Sequence, residues 1–178
     1  MATKRYSYLK EIEIRYKIRR TKNKIIGKSV SGGADVVARL FSDLQNEGKE
    51  KFITINLNTQ NKIICFEVVA IGSVDRVFLR PMEAFRSSIM VNAYAAIVVH
   101  NHPSGEAKPS RADVLFTQEI VKASLNLGLR LYDHIIIGQK KHYSFARHGK
   151  MVHTLETNNR LLGEEIQKTK SKGRIKEI

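Results

Sequence analysis

The residue types best able to do chemistry lie together at Val99-His100-Asn101-His102-Pro103-Ser104-Gly105, followed by Pro109-Ser110-Arg111-Ala112-Asp113. In a strand, residues two apart project from the same face, so His100 and His102 can present their imidazoles side by side. Chain reversal between Pro103 and Pro109 then opens a helix whose first turn carries Asp113, a carboxylate set opposite the two rings. Two histidines and one carboxylate, with a fourth position left to water, form the ligand set of a catalytic zinc. Alone, Ser110 and Asp113 would spell a capping box, Ser-x-x-Asp, ahead of an amphipathic helix. The His-x-His at ligand spacing just before them turns the balance toward metal ligation.

Such a centre needs a general base. A zinc-activated water has its pKa lowered from about 16 to about 7, and a carboxylate must still take and return its proton. Position along the chain does not identify that carboxylate, because a neighbouring strand can supply it. Glu50, at the head of a Phe52–Leu57 strand, is one candidate, and Glu67, Glu83 and Glu106 are others.

The elements that must hold these groups follow from periodicity. Ile12, Ile14, Tyr16 and Ile18 alternate with charged residues, the period of a half-buried strand. Ser31-Gly-Gly leads into a helix carrying Val36, Val37, Leu40, Phe41 and Leu44. Phe52–Leu57 reads as a strand, Asn58-Thr-Gln-Asn as a tight turn, and Ile63–Ile71 as the returning strand. Pro81 opens a helix expected to place Met82, Phe85 and Ile89 on one face. Ala95-Ala-Ile-Val-Val is wholly apolar, as in a strand buried on both sides. The helix after Pro109 carries Phe116, Ile120, Ala123 and Leu127 and stops at Gly128. Leu129–Ile137 is a further strand with Tyr143–Phe145 as its hairpin partner, and Leu155, Leu162 and Ile166 suggest a last amphipathic helix. Strands alternating with helices predict an α/β domain, helices lying on the faces of a mixed sheet.

The chain has 178 residues, with 31 Lys and Arg against 17 Asp and Glu, a net charge of +14. Residues 1–28 carry +8, residues 29–139 are balanced and residues 140–178 carry +6. The excess at the two ends is suited to a polyanion: Lys17, Arg19, Arg20, Lys22 and Lys24 are candidate contacts, with Arg111 beside the helix start. No aromatic interleaving of the base-stacking kind accompanies them. The single Cys65 excludes an internal disulfide framework and a cysteine-rich finger. The longest apolar run, seven residues, falls far short of the 18 or so of a membrane span, and no apolar segment follows the first charges. The expectation is a reduced, cytoplasmic, soluble protein with no membrane partner.

His100, His102, Ser110 and Asp113, with their spacings intact, resemble the JAMM motif of JAB/MPN-type metalloproteases. HNHPSG, PSRAD, LGLRLYDHIIIG and the YSF hairpin are similar, more closely, to the RadC branch of that superfamily, over about residues 48–148. The resemblance implies a curved β-sheet flanked by helices, related to the cytidine-deaminase architecture. It implies one zinc ion held by His100, His102 and Asp113, with Glu50, two residues before Phe52, holding and deprotonating the reacting water. Ser110 would polarise the substrate oxygen or steady the tetrahedral intermediate. Asp133 and His134 belong to the family pattern, either as a buried hydrogen-bonded pair or as residues behind the metal ligands. RadC proteins have been labelled DNA-repair factors, and full-length members commonly begin with a helix-hairpin-helix segment. This chain has instead a basic strand and helix over 1–47, the RadC-like domain over 48–148 and a basic helix or tail over 149–178. It resembles the short RadC-like form found on mobile elements.

Three functions follow. One is a zinc hydrolase cutting peptide or isopeptide bonds. Another is a DNA-processing enzyme or DNA-binding repair or recombination factor, the basic ends holding the strand. A third is a non-catalytic zinc-binding module. Deaminase chemistry is weaker, since His-x-Glu and Pro-Cys-x-x-Cys are missing. The oligomeric state is open.

Overall fold

A computed structural model describes residues 24–72 and 79–151. The predicted strand at 12–18, the predicted helix around 155–166 and the basic side chains Lys17, Arg19, Arg20 and Lys22 lie outside the described residues. Lys24, the first described residue, is exposed.

Five strands form one sheet: β1 (Glu50–Leu57), β2 (Ile63–Gly72), β3 (Ala95–Asn101), β4 (Arg130–Gly138) and β5 (Lys141–Ser144). Their spatial order is β2-β1-β3-β4-β5. β1 lies antiparallel to β2 and to β3, β3 and β4 run parallel, and β5 returns antiparallel on β4. The parallel β3–β4 pair requires a crossover. Helix α4 (Arg111–Asn126) supplies it, closed by Gly128 at φ 64°. This is an α/β domain with a mixed sheet, as the alternation of patterns predicts.

Side-chain alternation divides the core into two layers. Ile53, Ile55, Leu57, Ile97, Val99, Ile135 and Ile137 face helix α1 (Ala34–Leu40), packing with Val37, Phe41 and Leu44. The helix assigned above to the amino-terminal segment therefore shares its core with the sheet. It ends at Leu40, and a 3-10 helix over Ser42–Asn46 carries Leu44 inward. Ala96, Val98 and Ile136 face the opposite side, against Ile120 and Val121 of α4 and Phe85. The metal-ligand candidates lie on this second face.

Two expected helix faces are corrected. From Pro81 the chain forms two short helices, α2 (Pro81–Ala84) and α3 (Arg86–Met90), which meet at Phe85. Phe85 is fully buried, but Met82 and Ile89 are 63 % and 58 % exposed. The break at Phe85 ends the period that would have aligned them. Polar residues of β1 fix the turn: Thr54 Oγ1 donates to the Ala84 carbonyl at 2.6 Å, and Asn56 bonds Ser87 and Ser88 at 3.0 and 2.6 Å. On α4, Ile120 is buried and Phe116 and Ala123 pack against the same core as expected, but Leu127 stands exposed and the buried stripe also takes in Asp113, Thr117, Val121 and Ser124. Two of the residues pointing inward at its start are polar, so an apolar pattern alone rotates the face.

No helix among the described residues is long and apolar enough to cross a membrane.

Candidate metal centre

β3 delivers the two histidines. Phe52 pairs with His100 across β1 and β3, so Glu50, two residues earlier on β1, projects from the same face and the same end of the sheet. α4 begins over that end, and its first turn points Asp113 back at the strands. One donor atom from each of Glu50, His100, His102 and Asp113 falls within a group whose members all lie within 4.8 Å of one another. Asp113 Oδ1 is 3.2 Å from His100 Nε2, and its Oδ2 is 3.4 Å from His102 Nε2. The two Nε2 atoms are 3.0 Å apart, and Glu50 Oε1 is 3.5 Å from that of His100. His100 is wholly buried, Asp113 and Glu50 nearly so, and His102 forms the accessible side.

The surroundings fix each group. The ring of Phe52 stacks on His100 at 4.8 Å and 10°. His102 Nδ1 donates to the Glu106 carbonyl at 2.8 Å, an oxygen that can only accept, and this turns Nε2 toward Asp113 and His100. The Glu106 carboxylate itself points outward to Lys141. The loop bearing Glu106 sits close on β4, where Gln139 N donates to the Gly105 carbonyl at 2.8 Å. A Cβ at Gly138 would come within 2.5 Å of that carbonyl oxygen. Asn101, between the histidines, is fully buried and bonds the backbone of Lys49 and Lys51.

Electrostatics separate the two carboxyls. Burial pushes Glu50 up to about 7, against the pull of His102 and with a further push from Asp113. Burial would raise Asp113 too, but the His100 and His102 rings beside it and the Ser110 N–H hold it well below the usual carboxylate range. Burial lowers His100, while the Asp113 carboxylate beside it raises His102. Glu50 Oε1 is buried and makes no hydrogen bond among the described residues.

The donor set fits a divalent metal ion. Two imidazole nitrogens that face one another at 3.0 Å, beside one ionised carboxylate and one carboxylate oxygen without a hydrogen bond among the described residues, form a donor set that a shared cation would satisfy. His100, His102 and Asp113 would hold the ion, with Glu50 beside it.

The other predicted residues are placed as follows. Ser110 is the N-cap of α4: its Oγ accepts Asp113 N–H at 3.2 Å, and Asp113 Oδ2 accepts Ser110 N–H at 2.6 Å. Capping and the metal-ligand position thus occur together. Arg111 is exposed on the first turn. Glu67 is paired with Arg86 and Glu83 with Arg80, away from the histidines. Asp133 and His134 do not bond each other through their side chains, because neighbouring strand residues face opposite sides of the sheet. Asp133 accepts from Ser144 Oγ at 2.5 Å and from Ala146 N–H at 2.9 Å, which closes the β4–β5 hairpin. His134 stands behind the centre, its Nε2 2.8 Å from His100 Nδ1. Sequence reasoning missed Asn101, Phe52 and Thr117. Phe52 shares a strand face with Glu50, and Thr117 lies one helical turn after Asp113, so spacing held both signals.

An α/β sheet with a carboxylate, a His-x-His pair and a helix-borne aspartate at one end defines a domain with a hydrolase-type candidate metal centre. Residues 30–150 match the RadC-like JAB domain. A UPF0758 protein of Methanosarcina mazei is 39 % identical over 122 residues, 68 % of this chain and 53 % of that protein. A UPF0758 protein of Caldanaerobacter subterraneus is 40 % identical over 121 residues (68 % and 52 %), and one of Streptococcus thermophilus 41 % over 118 residues (66 % and 52 %). The chain belongs to the RadC-like JAB domain family. It spans about half the length of these curated relatives.

Proposed function

We propose that the protein is a zinc-dependent hydrolase that cleaves amide bonds of the peptide or isopeptide kind. The observation carrying this reading is Glu50: a buried carboxyl with no Lys or Arg partner among the described residues, raised to about 7 by burial and standing beside the point where His100, His102 and Asp113 converge. A bound zinc ion would supply Lewis-acid activation of a water and polarisation of a carbonyl.

The chain's own residues account for the rest. Glu50 takes a proton from the attacking water and returns it to the leaving amine, a task suited to a buried carboxyl that stands beside the ligand group. Ser110 Oγ already accepts Asp113 N–H with one lone pair, and its own proton is free to donate to a substrate carbonyl oxygen. Beside Glu50 and Asp113 opens a cleft of about 270 Å³ walled by Phe52, Leu79, Leu115 and Phe116, with Glu119 as the other charged group among the described residues. Apolar walls and carboxylates suit a neutral amide chain and disfavour a phosphodiester.

A second reading, a DNA-associated role, is favoured by the charge: +8 on residues 1–28 and +6 on residues 140–178 flank a neutral middle. It is measured by binding of single- and double-stranded DNA at two salt concentrations, with and without residues 1–28. Affinity lost on truncation supports a charged arm, and unchanged affinity removes it.

The test of the first reading is a screen of purified protein against peptide, isopeptide and nucleic-acid substrates, with Glu50→Gln as blank. Amide cleavage that disappears in the variant while zinc content is kept supports it. Turnover surviving in Glu50→Gln, or cleavage of nucleic acid alone, overturns it.

A further inference from the structure

We propose that His134 and Thr117 are positioning residues that fix the tautomer of His100, so that its bare Nε2 faces the metal centre. This rests on the reading that the four-residue group holds a metal ion.

The proton positions follow from atoms that can only accept. Thr117 Oγ1 lies 2.5 Å from the Asp113 backbone carbonyl, so the hydroxyl proton is spent there. Toward His134 Nδ1, 2.7 Å away, the same oxygen can then only accept, and Nδ1 must carry a proton. His134 is fully buried, and the side-chain partners of its two ring nitrogens are the Thr117 hydroxyl and the His100 imidazole, neither a carboxylate. A charged ring there would be buried without compensation, so the ring is neutral and its Nε2 is bare. His100 Nδ1, 2.8 Å from that bare nitrogen, must donate to it. His100 Nε2 is thereby left with its lone pair pointing at Asp113, Glu50 and His102.

Packing holds the rings in these planes. Phe145 stacks on His134 at 4.9 Å and 6°, as Phe52 does on His100. The relay also closes a ring through the fold: from His100 on β3 to His134 on β4, to Thr117 on α4, to the backbone of Asp113, whose carboxylate returns to His100. It ties three elements to one geometry. Metal-bound histidines usually donate their outer N–H to a carboxylate, a carbonyl or water. Here the acceptor is a second neutral imidazole, which orients His100 without adding negative charge to it.

The experiment has two arms. In the metal-free protein, two-bond nitrogen–proton NMR correlations of the histidine rings read the tautomers directly. A protonated Nδ1 and a bare Nε2 on His100 are expected, and a proton on His100 Nε2 with Nδ1 bare overturns the proposal. Zinc affinity is then measured by chelator competition for His134→Gln, whose side-chain oxygen can accept in place of Nε2, for His134→Phe, which cannot, and for Thr117→Val. Losses of about 10- to 100-fold in His134→Phe and Thr117→Val, with His134→Gln within a few-fold of the parent, are expected. Equal affinity in His134→Phe and His134→Gln overturns the proposal. If the parent protein itself binds no zinc, the proposed hydrolase function falls, and the tautomer measurement still decides this inference.

Discussion

Asn101 grips the backbone on both sides of Glu50. Its Oδ1 accepts Lys51 N–H at 2.8 Å and its Nδ2 donates to the Lys49 carbonyl at 3.2 Å. The residue between the two histidines thus locks the carboxylate that faces them, although 51 positions separate Asn101 from Glu50. Asn101→Ala leaves both backbone groups unpaired and should cost about 1–3 kcal/mol of stability. Its zinc content should stay that of the parent, because no ligand atom is touched. Hydrolysis should fall on the order of 100-fold if Glu50 shifts by about 1 Å. Thermal melts, metal analysis and turnover on one preparation check all three.

Glu50 makes the metal-free protein sensitive to pH. Its folded carboxyl titrates near 7 against an ordinary value of 4.5, so between those values the folded state holds more protons than the unfolded one. Stability contributed at this position therefore falls as pH rises from 4.5 to 7. Glu50→Gln removes that dependence. The variant's advantage over the chelator-treated parent should be near zero below pH 4.5 and grow to a plateau above pH 7. A plateau on the order of 1–2 kcal/mol is expected, less than the full shift implies, because His102 and Asp113 beside Glu50 titrate together with it. Denaturant unfolding across pH measures it, and a constant difference would refute it.

Zinc should stabilise the folded protein by mass action. At free zinc about 100 times the dissociation constant the gain is about 2.7 kcal/mol, a rise in Tm of roughly 5–10 °C for a chain of this size. Asp113→Asn should abolish most of that rise, since it removes the ionised group between His100 and His102. Melting curves over a zinc titration give the comparison. An equal rise in parent and variant would place the ion elsewhere.

Gly138 governs His102 from a distance. An added methyl would meet Gly105 O at 2.5 Å and Ala107 N at 2.9 Å, both backbone, so the loop must move. That loop carries the Glu106 carbonyl that orients His102. Gly138→Ala should lose roughly 1–3 kcal/mol of stability from overpacking and bind zinc about tenfold more weakly. Chelator competition at a temperature where the variant is folded separates the two effects.

The local geometry of the centre was written in the sequence. A strand places positions two apart on one face, and a helix start aims its third residue inward, so His100, His102 and Asp113 could be assembled without knowing the fold. What the linear pattern left open was which carboxylate joins them. By position alone Glu50, Glu67, Glu83 and Glu106 were all open and only the family resemblance singled out Glu50; strand pairing sets Phe52 against His100 and brings Glu50 to the same edge, while Arg86, Arg80 and Lys141 pair with the other three. Tertiary contact also decided the inward face of α4, because Asp113 and Thr117 are buried by hydrogen bonds that no hydrophobic period records. It separated Asp133 from His134, adjacent in the chain and on opposite sides of the sheet. Periodicity carries information about which residues leave water, and partners distant in sequence decide which polar groups may leave with them.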